Sequence, residues 1–131
     1  MKVQQRPLHG VVLIDKAVGP SSHGVLGRAR RLWRADKGGH TGTLDPLASG
    51  LLPLCFGAAT KFAQVCLDAD KAYRATLHMG QTRVGGDREG ALLLERPVEV
   101  DRMAIDAAVS RFVGAIEQTP PMQSALKHNG K

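Results

Sequence analysis

The 131-residue chain is poor in aromatic side chains, with one Trp, one Tyr and three Phe. It has two cysteines, Cys55 and Cys66, without the C-x-x-C spacing of a metal or redox site,. Both stand among Leu, Phe and Val, so they read as reduced, small apolar residues. No apolar run approaches the roughly 18 residues of a membrane span, and the first ten residues lack the apolar core of a signal peptide. A cytosolic, single-domain globular protein is the expectation. The chain has no G-x-x-x-x-G-K-[ST] loop, no G-x-G-x-x-G, no H-E-x-x-H and no Gly-x-Ser-x-Gly elbow. Nucleoside triphosphate, dinucleotide, zinc and serine-hydrolase chemistries all lose support.

Acidic residues are also scarce where basic ones are dense. Residues 1–40 hold eight Lys or Arg against two acids, and the remaining residues hold ten of each. The whole excess of +6 is therefore N-terminal, which suits a polyanionic partner such as nucleic acid as well as a solvated face. Val11 to Ile14 predicts a short buried strand, ended by Gly19-Pro20. Ser21 or Ser22 then suits a helix cap, and Val25, Leu26, Ala29, Leu32 and Trp33 form one helical stripe, with Arg30, Arg31 and Arg34 opposite. Leu51 to Phe56 predicts a second strand in which Pro53 marks an edge or a bulge. Thr60 to Leu67 suits a short helix with Phe62, Val65 and Cys66 inward. Alternation from Ala72 to Met79 predicts a half-buried strand, joined through a glycine-rich connection over residues 80–90 to a partner at Ala91 to Glu95. Asp101 suits the cap of a helix that Gly114 ends, and Met122 to Leu126 suits a last strand.

Between the first helix and second strand lies Gly38-Gly39-His40-Thr41-Gly42-Thr43-Leu44-Asp45-Pro46-Leu47-Ala48-Ser49-Gly50. Four glycines and a proline in so short a run predict a loop throughout. Asp45 precedes Pro46 and so stands at a stiff corner. It is the only acid between Asp36 and Asp68, so nucleophilic carboxylate chemistry in this region must use it. Together with His40, the basic helix and the isolated ring of Tyr73, it suits an enzyme that handles a base extruded from RNA.

The run from Gly39 to Gly50 resembles the signature loop of the bacterial tRNA pseudouridine-55 synthases, the TruB family, which usually read GHTGTLDPLATG; Ser49 replaces the threonine. Gly10 to Lys16 with Gly19-Pro20-Ser21-Ser22 resembles the family's opening strand and DKPxGxTS turn. Asp70-Lys71-Ala72-Tyr73-Arg74 resembles its DKxYR strand, and the segment from Pro120 to Lys127 its PPxYSAxK. The resemblance implies an α+β fold, a mixed, largely antiparallel sheet flanked by helices, incomplete in this chain. It implies isomerisation of uridine in the T-loop of tRNA, without cofactor or metal. Asp45 is then the nucleophile, Tyr73 stacks on the target base, and His40 contacts RNA beside it. Asp87 belongs to the acidic network around the nucleophile, with Lys16, Thr41 and Gly42 as supporting residues. On side-chain chemistry alone, Arg30, Arg31 and Arg34 are the expected contacts to the RNA backbone, since guanidinium groups pair with phosphates. The implied partner is the tRNA T-stem loop, met by a monomer when full length, with no membrane.

Four departures from the family pattern stand out. Ala17 replaces a proline, Gly24 an Asp, and Gln123 an aromatic, while the TDTxD segment is reduced to Val84-Gly85-Gly86-Asp87. Family members also continue past the position of Lys131 through a GxYIR motif to a small RNA-binding domain. The chain is therefore expected to be the N-terminal portion of a catalytic domain, inactive alone. A non-catalytic RNA-binding remnant, a structural interaction fragment, and an RNA-guided synthase of box H/ACA type are the alternatives. The last usually has Lys where Leu47 stands.

Overall fold

The computed structural model describes residues 4–67 and 69–119. The chain divides into two compact units, Met1–Tyr73 and Arg74–Lys131.

In the first unit, β1 (Gly10–Lys16), β2 (Gly38–His40) and β3 (Gly50–Phe56) form an antiparallel sheet in the order β1-β3-β2. Helix α1 (Ser22–Trp33) lies between β1 and β2 in the chain, and Ser21 caps it by accepting the Gly24 N–H at 3.1 Å. Its apolar stripe buries Leu26 and Ala29 with Trp33 beside them, while Leu32 is 74% exposed. The helix is thus turned away from the docking through Leu32 that its spacing suggests, because the i, i+3, i+7 set of Leu26, Ala29 and Trp33 meets the sheet.

Strand β3 supplies the other half of the core. Its alternate residues Leu52, Leu54 and Phe56 are buried, and Val12 and Ile14 of β1 pack beside them. The Trp33 and Phe56 rings meet edge to face at 5.4 Å between centroids and 82° between planes, a contact worth about 0.5–1.5 kcal/mol beyond the area it buries. On the other sheet face Val11, Leu13 and Leu51 are exposed, whereas Cys55 is buried. Burial pushes the Cys55 thiol pKa up, helped by Cys66. Cys66 itself is exposed, which corrects its reading as an inward residue.

Three further expectations change here. The glycine-rich run is not all loop, since Gly38, Gly39 and His40 pair with Phe56, Cys55 and Leu54. Glycine at position 38 permits this close packing: a Cβ there would meet the Arg30 stem and the Leu26 side chain at 3.2 Å. Pro53 lies in the central strand, at neither an edge nor a bulge. Its carbonyl accepts the Thr41 N–H at 3.2 Å, just beyond the His40–Leu54 pair. The missing proline N–H would have returned the second bond of that rung, so the proline falls where the β2 ladder stops. Finally, residues 60–67 begin as a 3-10 turn over Gly57–Phe62 and become helical only in α2 (Ala63–Leu67), with Phe62 and Val65 exposed.

The second unit holds β4 (Gln81–Arg83), β5 (Leu92–Glu95) and α3 (Arg102–Ser110). The hairpin pairs Gln81 with Glu95 and Thr82 with Leu94. Residues 72–78 are irregular rather than a strand, and Tyr73 and Leu77 are exposed. Alternation chooses faces but makes no hydrogen bonds, and the β5 edge is taken by β4 instead,. Asp101 caps α3 as expected, accepting the Ala104 N–H at 2.8 Å. The helix ends at Ser110, before Gly114. The expected strand over residues 122–126 and the family-like segment from position 120 lie outside the described residues.

Candidate active site

Residues 41–49 join β2 to β3, and the chain around Asp45 is fastened on both sides. Before it, the buried Ser22 hydroxyl donates to the Leu44 carbonyl at 2.9 Å and accepts the Leu44 N–H at 2.8 Å. After it, the Pro46 carbonyl accepts from the Gly19 N–H at 2.8 Å and from Lys16 Nζ at 3.5 Å. The Ala48 N–H closes a turn onto the Asp45 carbonyl at 3.0 Å. At the far end Gly50, with φ 128°, turns the chain into β3 opposite Lys16. This is backbone that side-chain-bearing residues resist. Asp45 itself is exposed. Its neighbours are held while its carboxylate faces water, the arrangement a nucleophile delivered to a bulky substrate requires.

Lys16 is 1% exposed. Its ammonium also donates to the carbonyls of Ala17 and Pro20, each at 3.0 Å. Three carbonyl acceptors match its three donors, which offsets the cost of burying the charge. Lys16 thereby ties the turn after β1 to the residue following Asp45. Ser22 does the same from the first turn of α1, whose positive dipole end is thus tied to the loop that carries Asp45,. The sequence marked Ser22 only as an alternative helix cap. Its signal was the Ser21-Ser22 pair, since one hydroxyl suffices for the cap and the second is spare.

Thr41 is buried and held to Pro53, next to Gly42. His40 ends β2 half-buried, and its Nδ1 is buried without a hydrogen-bond partner. Lys16, His40, Thr41, Gly42 and Asp45 therefore belong to one sheet end and its loop. Tyr73 is 73% exposed on irregular backbone, not on the half-buried strand its pattern suggested. Asp87 belongs to the second unit, where its carboxylate accepts the N–H groups of Glu89 at 2.9 Å and Gly90 at 3.0 Å. Arg30, Arg31 and Arg34 are at the opposite end of α1 from the Ser22 anchor. Among the described residues, no group of three or more His, Cys, Asp or Glu is placed to hold a metal ion, and no helix is long and apolar enough to cross a membrane.

The model of the TruB family pseudouridylate synthase N-terminal domain matches residues 30–131. The chain belongs to the TruB family. It is 58% identical over 130 residues to tRNA pseudouridine synthase B of Cupriavidus pinatubonensis, covering 99% of this chain and 41% of that protein. It is 61% identical to the enzyme of the same name from Burkholderia lata, over 99% of this chain and 40% of the relative. This TruB-family chain thus spans about two fifths of the length of the curated relatives it matches. Among solved structures it resembles an archaeal box H/ACA sRNP Nop10-Cbf5 complex, with a TM-score of 0.57 and 32% identity over 82% of this chain and 29% of that one. A Cbf5-Nop10-Gar1 complex matches with a TM-score of 0.59 and 26% identity, over 96% of this chain and 38% of that one. The α+β fold expected from the family-like motifs is the TruB fold these comparisons identify.

Proposed function

We propose that this chain carries the nucleophile-bearing part of an enzyme that converts uridine to pseudouridine in tRNA, at position 55 of the T-loop, with Asp45 as the nucleophile. The observation that carries the reading is the anchoring of Leu44 and Pro46 on either side of an exposed Asp45, in a chain whose relatives are named tRNA pseudouridine synthase B. The Asp45 carboxylate adds to C1′ of the ribose or C6 of the base, or helps form a glycal. The N1–C1′ bond breaks, the uracil ring turns, C5 joins C1′, the bond to Asp45 breaks and returns the free carboxylate, and C5 loses its proton while N1 gains one. Atoms and electrons balance within the nucleotide, so the isomerisation calls for no cofactor. Tyr73 offers an exposed ring on which an extruded base can stack, offsetting part of the few kcal/mol that unstacking costs,. His40, half-buried at the end of β2 beside this loop, contacts RNA next to that base. The reading concerns a chain that spans about two fifths of the length of those relatives.

The test is tritium release from C5-labelled uridine in a tRNA transcript. It uses this chain alone and this chain joined to the remaining residues of the Cupriavidus pinatubonensis relative. The joined protein should release tritium without guide RNA, and its Asp45→Asn variant should lose release by at least about a thousandfold, as expected on removal of a covalent nucleophile. Equal release from both would remove Asp45 from this role. Release only with an added guide RNA would favour the box H/ACA mode of the Cbf5 complexes.

A further inference from the structure

Tyr73 is the one tyrosine of the chain, and it is 73% exposed on backbone that belongs to no helix or strand. Neither a ladder nor a core fixes such a residue, so its place depends on the last fastened point of the chain before it. The residues leading to it are the 3-10 turn Gly57–Phe62 and α2, Ala63–Leu67, which run beside β2 and the loop that follows. A Cβ at Gly39 would stand 4.0 Å from the Thr60 methyl group, and one at Gly42 would stand 3.9 Å from Leu67 Cδ2. Both are contact separations. The end of α2 is therefore seated beside the loop that carries Asp45.

Lys71 turns the chain back onto that helix end. Its ammonium donates to the Leu67 carbonyl at 2.5 Å and to the Ala69 carbonyl at 3.0 Å, and the Ala69 N–H donates to the Cys66 carbonyl at 3.4 Å. The last carbonyls of a helix lack an intrahelical partner, and a lysine ammonium is a fitting donor for them. What sets Lys71 apart from an ordinary capping lysine is where its acceptor sits. Leu67 bears both the carbonyl that Lys71 holds and the side chain that meets Gly42, three residues before Asp45. Tyr73 follows Lys71 by two residues, a stretch that spans at most about 7 Å. The path from loop to ring thus runs through Gly42, Leu67, Lys71 and Tyr73, all within the first unit.

We infer that Lys71 is a positioning residue for Tyr73: by bonding the end of α2 it holds the stacking ring at a set place relative to the loop of Asp45. The inference rests on the reading of Asp45 and Tyr73 given above and adds to it a residue that acts through Tyr73. Placement matters because a displacement of about 1 Å can cost about a hundredfold in rate, and an exposed ring on unfastened backbone moves further than that.

Because the chain has a single tyrosine, fluorotyrosine labelling gives one fluorine NMR signal that reports on this ring. Lys71→Met keeps the side-chain stem and removes the donors; it should narrow the line about twofold as the ring gains nanosecond motion, with an unchanged melting temperature. Lys71→Arg keeps the donors and should leave the line broad. In the chain joined to the remaining residues of the Cupriavidus pinatubonensis relative, Lys71→Met should slow single-turnover tritium release about tenfold while tRNA affinity stays within about twofold. Lys71→Arg should restore most of that rate. In a Tyr73→Leu background, where the residual release is followed, adding Lys71→Met should change the rate less than about twofold. An unchanged line in Lys71→Met, or an equal loss of rate in both backgrounds, would overturn the positioning role while leaving the Asp45 reading to its own test. Parallel falls in melting temperature and tRNA affinity would overturn it in favour of general support of the fold. No release from the unsubstituted joined protein would overturn both the role and the reading it rests on.

Discussion

The two units of this chain are built on different principles. In the first, Leu26, Leu52, Leu54, Cys55 and Phe56 are buried together with the polar Lys16, Ser22 and Thr41. In the second, no described residue is buried; Met103, Phe112 and Val113 are each more than 70% exposed. The second unit is held by local devices: a backbone ladder between β4 and β5, the Asp101 cap, and the Arg102–Asp106 pair at 2.9 Å. Exposed pairs of this kind contribute little, and a nine-residue helix is marginal without packing,. Order in the first unit comes from exclusion of water. In the second it comes from hydrogen bonds that water can contest, and it is in the first that a loop can be held firmly enough to aim a carboxylate.

The sharpest way to break this contrast is to open the first core. Leu54→Ala, at a residue 0% exposed in the central strand, should destabilise the first unit by about 2–5 kcal/mol. Leu94→Ala in β5, 43% exposed, should cost under about 1 kcal/mol; urea denaturation followed by Trp33 fluorescence measures the first, and the loss of far-ultraviolet circular dichroism the second. Similar costs at the two sites would erase the distinction. Next in size is Ser22→Ala, which leaves both Leu44 backbone groups without their partner and should cost about 1–3 kcal/mol,. Hydrogen exchange at Leu44 should speed up while exchange at Leu54 stays slow, provided the serine is a local pin; uniform acceleration would make it part of the general core. Asp101→Ala should have the smallest effect, about 1 kcal/mol confined to α3,. Its far-ultraviolet signal should weaken with no change in the Trp33 transition, and a shifted transition would show that the second unit supports the first.

What was legible in the sequence follows the same division. β1 and β3 declare themselves through short apolar runs and α1 through its apolar stripe, each backed on one side by the water-excluding core, and α3 declares itself through its cap. β2 is invisible to such signals: Gly38 and Gly39 have no side chains to pattern, and the strand exists through its backbone bonds to β3. The alternation over residues 72–79 misleads in the opposite sense, offering a face without an edge to pair with. Phe62 and Val65 mislead similarly, since apolar spacing shows what a segment would bury only if a surface meets it. At the candidate site, Asp45 was legible from loop chemistry and resemblance. The two hydrogen bonds between Ser22 and Leu44 were not, because they join residues 22 positions apart, a separation that local pattern cannot register.

Pro53 sets a boundary by what it cannot donate. One amide hydrogen is missing from the middle strand, so the β2 ladder has no complete rung beyond His40. The length of the segment that carries Asp45 is therefore counted out by the sheet, from the last full rung on one side to Gly50 on the other. The loop acts as a ruler whose zero mark is a proline.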